Sequence, residues 1–307
     1  MPEKYSKIVH QLEWSRSVFE FLTIAGILMF TEGALLAFAL ETGTGDILGW
    51  LCGIAAVVMV YGSVIEPWFL TVKRFEVGKG ANAVTIAFLS DIHVGPYKRE
   101  RWLARLVRRT NALGADLILL GGDYVYDQAK EASLLGPLAG LRAPLGVYGI
   151  LGNHDGHYGP EEISRRLEGL GIQMLRNRTV RLTHQGRSIA ISGVDDDWFG
   201  DTDYEAAARD VRRDDVRIML IHNPEVASHA AKERPNLMLS GHDHGGQIRL
   251  PLLGAIARMP HSLGQKYDRG LFKLDGTPLI IGQGVGESGP RARLFCPPQI
   301  VHVTLRF

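Results

Sequence analysis

Cysteine is nearly missing from this chain: there are two in 307 residues, Cys52 and Cys296. With Cys52 inside a long apolar run, neither a disulfide framework nor a cysteine metal cluster can be built, and a reducing compartment suits the composition. Also missing is a surplus of either charge. Lys and Arg number 34 against 33 Asp and Glu, a net charge of +1, which leaves no field to draw the whole molecule to nucleic acid. Any anionic partner must be bound locally. No internal repeat and no low-complexity linker interrupts the chain. Its apolar fraction, 46%, is ample for one large domain or two ordinary ones.

Two long apolar runs are present. Residues 21 to 40, "FLTIAGILMFTEGALLAFAL", carry one charge, Glu32, and residues 47 to 65, "ILGWLCGIAAVVMVYGSVI", carry none. About 20 helical residues at roughly 1.5 Å rise cover the ~30 Å hydrocarbon core, so each run is long enough to cross a bilayer. Together they read as a transmembrane helical hairpin rather than two buried soluble helices. The connector "ETGTGD" has no Lys or Arg, whereas Lys4, Lys7 and Arg16 precede the first run and Lys73, Arg74 and Lys79 follow the second. The positive-inside rule then places both ends in the cytoplasm. A cleavable signal ending at Ala37-Phe38-Ala39 would leave the remainder on the same side. Glu32 is assigned no role. The expected division is a membrane anchor over 1–66 and a soluble α/β domain over 67–307.

Within that domain "TVKRFEVGKGANAVTIAFLS" reads as two strands with a Gly/Asn turn. Five β-rich runs then end in the same chemistry. "VTIAFLSDIHVG" ends in Asp91 and His93, "ADLILLGGDYVYD" in Asp123, and "GVYGILGNHDGHYG" in Asn153, His154 and Asp155. "VRIMLIHNPE" ends in His222, and "NLMLSGHDHGG" in His242 and His244. Open α/β sheets bind ligands outside the carboxyl ends of their strands, so these residues can meet at one edge. Carboxylates, an amide oxygen and imidazoles without thiolates suit Mn²⁺, Fe or catalytic Zn²⁺. There are ligands enough for two divalent ions sharing one Asp. Neighbouring glycines let the backbone approach the ions closely.

The ordered set Asp-x-His, Gly-Asp, Gly-Asn-His-Asp, His, Gly-His-x-His resembles the calcineurin-like metallophosphoesterase family over residues 84 to 245. "SGHDHGGQIRLP" and "GQGVGESGPRARLFCPPQIVHVTL" further resemble its membrane-anchored bacterial branch, with Asp243 where that branch has Thr. The resemblance implies a four-layer α/β/β/α sandwich of two mixed sheets. It implies two divalent metal ions, with Mn favoured: Asp91, His93, Asp123 and His244 on one, and Asp123, Asn153, His222 and His242 on the other. Water activated at the metals would attack phosphorus in line while His154 protonates the leaving oxygen. Asp155 would orient His154, and Gln247 would touch substrate.

Other features carry less. Arg291 and Arg293 offer guanidinium groups that match phosphate oxygens, with surface salt bridges as the alternative. "KRERWLARLVRR", residues 98 to 109, sets Trp102, Leu103, Leu106 and Val107 at helical spacing, which fits a helix covering the sheet better than one lying on lipid. "VDDDWFGD", residues 194 to 201, reads as a wall of the site. His157, just past the motif, reads either as a surface-loop residue or as a substrate contact, and His10, His184, His229, His261 and His302 read as structural or solvated. The expected activity is hydrolysis of a phosphodiester or pyrophosphate in a lipid-linked substrate at the cytoplasmic face of the inner (plasma) membrane. A membrane-anchored member of the resembled family cleaves UDP-2,3-diacylglucosamine to lipid X and UMP in lipid A synthesis, which makes that the sharpest candidate. A broader phosphodiesterase and a non-catalytic metal-binding scaffold are the alternatives. The expected partners are the bilayer and that substrate, with no nucleic acid.

Overall fold

The computed structural model describes residues 3–39 and 43–307. Glu41 and Thr42 of the connector lie outside the described residues, as do the side chains of Lys4, Lys7, His10 and Arg16. Helices α1 (Glu3–Ala39) and α2 (Gly43–Val60) pack side by side. Small residues bring them close: a Cβ on Gly26 would sit 2.6 Å from the Met59 methyl, and one on Gly49 would sit 2.9 Å from the Phe38 ring. Their outer faces are open, with Leu28, Leu35, Leu36, Leu51 and Val57 each more than half exposed. A soluble core helix hides such a face, whereas a helix in lipid leaves it open. Glu32 lies on the exposed side rather than against α2. After Val60 the chain makes a π-helical turn, Tyr61–Ile65, then a 3-10 turn, Glu66–Trp68.

The rest is α/β with two mixed six-stranded sheets. The first holds β1 (Thr71–Gly78), β2 (Ala83–Leu89), β3 (Leu117–Leu120), β4 (Val147–Gly149), β5 (Gln173–Met174) and β14 (Gln299–Arg306). The second holds β6 (Arg178–His184), β7 (Arg187–Gly193), β8 (Val216–Leu220), β9 (Leu237–Ser240), β12 (Gly270–Leu274) and β13 (Thr277–Ile281). A small separate hairpin joins β10 (Arg249–Leu250) to β11 (Gly254–Ala255). The strands expected on either side of the Gly/Asn turn are β1 and β2, yet they do not pair. β14 lies between them, parallel to β1 and antiparallel to β2.

Strand patterning explains how the sheets sit. Leu117 and Leu119 of β3 share one apolar cluster with Ile218 and Leu220 of β8 and Leu237 and Leu239 of β9. Side chains alternate along a strand, so Ile118 and Leu120 turn to the opposite face. Both faces of β3 are therefore buried, which is why "LILL" has no polar alternation. That opposite face is covered by α3 (Glu100–Asn111), α5 (Pro160–Gly169) and the 3-10 segment Ala129–Gly140. Trp102, Leu103, Leu106 and Val107 of α3 are buried there, each side chain contributing roughly 1.5–3 kcal/mol. The sheet-covering reading of that helix holds. On the second sheet Met219 and Met238 pack with Ala207, Ala227 and Ala230 from two short helices, α6 (Tyr204–Ala208) and α7 (Ala227–Ala230).

In the first sheet β2, β3, β4 and β5 run parallel, and in the second β7, β8, β9 and β13 do. Their carboxyl ends deliver the loops that begin at Ser90, Gly121, Ile150, Ile221, Gly241 and Gly282. These loops converge on each other.

Candidate metal centre

The loop after β2 leans on the loop after β3: the amide of Asp91 donates to Gly122 O at 2.9 Å and that of His93 to Asp123 O at 3.0 Å. The loop after β9 leans on the first of these, since the amide of His242 donates to Asp91 Oδ1 at 2.9 Å. The helix that begins after β4, α4 (Asn153–Tyr158), turns the amide of His154 toward Asp123 Oδ1 at 2.9 Å. Gly152 admits this approach, because a Cβ there would lie 2.2 Å from Asp123 Oδ1. The tight turns expected at glycines beside the ligands are present at Gly122 and Gly245, with φ of 90° and 61°. Five of the residues expected as ligands share that backbone: Asp91, His93, Asp123, His242 and His244 have φ of 54°, 46°, 58°, 74° and 51°. Such backbone costs on the order of 1–3 kcal/mol per residue and persists only where its surroundings enforce it.

The side chains meet in two groups around Asp123. In one, His93 Nε2 and His244 Nε2 are 3.2 Å apart, and His244 Nε2 is 3.6 Å from Asp91 Oδ1. In the other, Asn153 Oδ1 is 3.0 Å from His222 Nε2 and 2.9 Å from His242 Nδ1. Asp123 Oδ2 stands between, 3.5 Å from His93 Nε2 and 3.3 Å from His222 Nε2. All seven expected ligands are brought together.

The donor set fits a cation. His93 Nδ1 lies 3.0 Å from Val125 O and His222 Nδ1 lies 2.7 Å from Gly121 O. A carbonyl only accepts, so both Nδ1 atoms donate, and a neutral ring at either position turns a bare Nε2 lone pair inward. His222 Nε2 faces two oxygens that offer only lone pairs, and Asp123 beside it outweighs burial and holds this imidazole well above its ordinary range, so a proton bridges the gap where no ion does. Asp91 Oδ2, His242 Nε2 and His244 Nδ1 are buried with no hydrogen-bond partner. Converging lone pairs at such distances need a proton or a metal between them, and atoms sharing one ion at about 2.0–2.2 Å lie roughly 3 Å apart when adjacent.

Three of the other imidazoles are held neutral. Burial, reinforced by His154, holds His93 down to about 3, and burial with His222 holds His242 down to about 3. Burial and His93 drive His244 well below the usual imidazole range. These rings are neutral at pH 7, as ligands must be. Burial alone would raise Asp123, but His222 and His154 outweigh it and hold the carboxyl well below its ordinary range. Burial lifts Asp91 to about 6, His222 opposing and Asp123 adding.

His154 stands at the rim. Its Nδ1 donates to Tyr126 O, and its Nε2 faces Ser288 Oγ at 3.4 Å. Asp155, expected to orient this ring, does something else. Its carboxylate accepts from the amides of Asp123 at 2.8 Å, Tyr124 at 2.9 Å, Gly152 at 3.0 Å and Val125 at 3.3 Å. Being the third residue of α4, it is aimed back at the Asp123 loop and clamps that loop instead. Gln247 likewise spends both ends of its amide on the backbone of Ser288, at 2.6 and 2.9 Å, so it sets the Ser288 loop rather than reaching substrate. Arg293 is fully buried on the carbonyls of Gln283, Gly286 and Cys296 and on Glu287, which removes it as a phosphate clamp. Arg291 is half-buried, its guanidinium 4.9 Å over the ring of Tyr97.

Trp198 of the acidic loop stands edge-on 4.8 Å from His242 and walls the site as expected. His157 packs 5.0 Å from Phe199. His184 bonds Ala83 O, and His229 lies against Tyr204. His261 is tied to Asp243, 3.0 Å from its Oδ2, so the acidic residue between the two ligand histidines is held from outside the cluster. Ser288, the carbonyls of Gly121, Val125 and Tyr126, and the Asp155 clamp escaped the sequence reading. Backbone carbonyls carry no residue type, and only the glycines flanking Ser288 hint at a shaped loop.

Comparison with known proteins gives a consistent result. Residues 84–246 match the calcineurin-like phosphoesterase family. A metallophosphoesterase of Bacillus subtilis, described as uncharacterized, is 30% identical over 89% of this chain and 94% of its own. One from Aquifex aeolicus, described in the same way, is 31% identical over 82% of this chain and 97% of its own. A transmembrane protein with a metallophosphoesterase domain from Bos taurus is 34% identical over 73% of this chain and 53% of its own. The match thus spans nearly all of these bacterial proteins and about half of the animal one.

Proposed function

Because the chain belongs to the calcineurin-like phosphoesterase family of metal-dependent phosphoester hydrolases, we propose that it is a membrane-anchored two-metal enzyme acting on a lipid-linked phosphodiester or pyrophosphate. The observation that carries this reading is the placement of Asp123 Oδ2 within 3.5 Å of an imidazole from each ligand group. Asp91, His93, Asp123 and His244 would hold one divalent ion, and Asp123, Asn153, His222 and His242 the other, with Mn favoured. Bound there, such ions activate water and neutralise charge on phosphoryl oxygens. The chain's own residues do the rest. Tyr126 O fixes His154 through Nδ1, which leaves Nε2 to carry a proton to the leaving oxygen. Asp155 keeps the Asp123 loop in its strained form.

Residues 1–66 form the anchor and 67–307 the catalytic domain, whose two sheets and outer helices we read as the four-layer sandwich. The lysine and arginine bias flanking the apolar runs supports a catalytic domain on the cytoplasmic side of the inner membrane. Tethering there raises the effective concentration of enzyme toward lipid-linked substrates, and UDP-2,3-diacylglucosamine is the first to test. The generic activity named for the relatives favours a second reading, a broader phosphodiesterase on another phospholipid or a nucleotide. Detergent-purified protein, stripped of metal and resupplied with Mn²⁺, should release UMP from UDP-2,3-diacylglucosamine, and Asp123→Asn should not. Cleavage of a simple diester alone would keep the two-metal reading and discard that substrate.

A further inference from the structure

A cleft of about 300 Å³ lies where the apolar helices meet the α/β body. Leu22 of α1 and Val58 and Met59 of α2 form one wall, and Ile248, Ala292 and Leu294 form the other. Its surroundings say what it can hold. Leu22 opens the apolar run of α1, and Val58 and Met59 close that of α2, so the cleft sits at the boundary between hydrocarbon and water on the side of the catalytic domain. The outer wall runs on into an apolar surface. Ile248 bridges Leu294, and just beyond them Leu252, Leu253 and Ile256 of the β10–β11 hairpin and Phe295 are 106%, 79%, 62% and 53% exposed. A patch of this kind on a soluble face is a liability, and against a bilayer it is a contact.

The same wall runs inward to the metal centre. Gln247, next to Ile248, holds Ser288, and Ser288 Oγ faces His154 Nε2 at 3.4 Å. Two residues past Ser288 is Pro290, already a lining residue of the cleft, and Arg291 follows it. The wall is also fixed to the membrane helices. The amide of Arg293 donates to Gly62 O at 2.8 Å, and Glu66 accepts from the amides of Phe295 and Cys296 at 2.9 and 2.6 Å. The cleft is therefore a fixed feature at the bilayer surface, one short loop away from the reacting groups.

We propose that this cleft receives a hydrocarbon chain of a bilayer lipid, so that the lipid's phosphate is presented past Arg291 to the metal centre. Apolar walls suit the chain, and a guanidinium suits the phosphate. The assignment of that lipid as substrate rests on the phosphoesterase reading above; occupancy of the cleft does not.

The test uses the full chain in vesicles of phosphatidylethanolamine and phosphatidylglycerol doped with phosphatidylglycerol bearing a diazirine in one acyl chain. Photolabelling should mark the peptide containing residues 290–294, and Ala292→Phe, which fills the cleft, should remove that mark. Label confined to the outward faces, at residues such as Leu28, Leu35 or Val57, overturns the proposal. With a long-chain lipid phosphoester in the same vesicles, Ala292→Phe should lower the ratio of lipid to soluble-diester turnover about tenfold, the weight of roughly two buried methylenes. An unchanged ratio would overturn the substrate half. If the wild type cleaves neither ester, the phosphoesterase reading falls, while the labelling still decides the cleft.

Discussion

Two buried polar clusters lie within this fold, and they are finished differently. Around Asp123, buried atoms of Asp91, His242 and His244 have no hydrogen-bond partner, and five residues of the cluster hold left-handed backbone. At the junction with the apolar helices every charge is answered. Lys98 reaches Glu287, Pro67 O and Val285 O, each at 2.8 Å, Arg293 is spread over three carbonyls and Glu287, and Glu66 accepts two amides. A buried charge left open is costly, and one fully bonded is structural. The open cluster is thus where something else must bind, and the closed one is where the chain binds itself.

The strongest way to break this comparison is at Asp123. Asp123→Asn removes the carboxylate between the two ligand groups and should lower turnover by more than roughly 10³-fold, beyond the loss of a single catalytic donor. Steady-state kinetics beside metal analysis would check it, and near-native turnover would remove Asp123 from the centre. Chelation should act in the same direction on the wild type, with activity restored by Mn²⁺.

The closed cluster should respond the other way. Arg293→Met leaves the buried carbonyls of Gln283, Gly286 and Cys296 without their donor and Glu287 with Lys98 alone, and should cost about 3–5 kcal/mol of stability. Thermal unfolding in detergent would show the drop, while bound metal per folded chain stays level; an unchanged melting temperature would contradict the structural role. Between the clusters, Ser288→Ala deletes a single hydroxyl facing His154 and should slow turnover by about 2- to 10-fold without changing metal content. A loss as large as that of Asp123→Asn would mean Ser288 belongs to the centre proper.

An ion pair away from both clusters gives an effect that depends on pH. Burial would raise Asp215, but hydrogen bonds from Arg181 hold its carboxyl down to about 2, below its ordinary 3.8. The folded state therefore gains from this group above about pH 4 and loses the gain as pH falls through 2, an amount of roughly 2 kcal/mol at neutrality. Asp215→Asn should melt earlier than wild type at pH 7 and alongside it near pH 2. Equal melting at both values would show that the pair is idle.

What could be read from the sequence follows from where the information sits. The seven residues that converge around Asp123 were legible because each follows an apolar run and because imidazoles and carboxylates are rare at strand ends without a purpose. The face of α3 was legible because helical periodicity is local. The reverse holds for Asp155, Gln247 and Arg293. Their residue types suggested an orienting acid, a substrate contact and a phosphate clamp, but each is consumed by backbone groups whose positions depend on loops far away in the chain. Ser288 and Glu66 were invisible for the same reason. The insertion of β14 between β1 and β2 was equally hidden, since strand order is set by long-range packing and not by the turn that follows β1.

That insertion has a consequence for how the protein is made. β14 is the strand that pairs with both β1 and β2, and it leaves the ribosome more than two hundred residues after them, a delay on the order of 10–40 s at ordinary rates of synthesis. Through that interval the apolar helices are already available to the membrane while β1 has no neighbour and β2 presents an open edge. The loop that carries Ser288 and the cleft wall emerges just ahead of β14, so the last strand to arrive closes the sheet and completes the site in one event. A nascent chain stalled shortly before Gln299 would have every loop of the Asp123 cluster translated and its first sheet still unsealed.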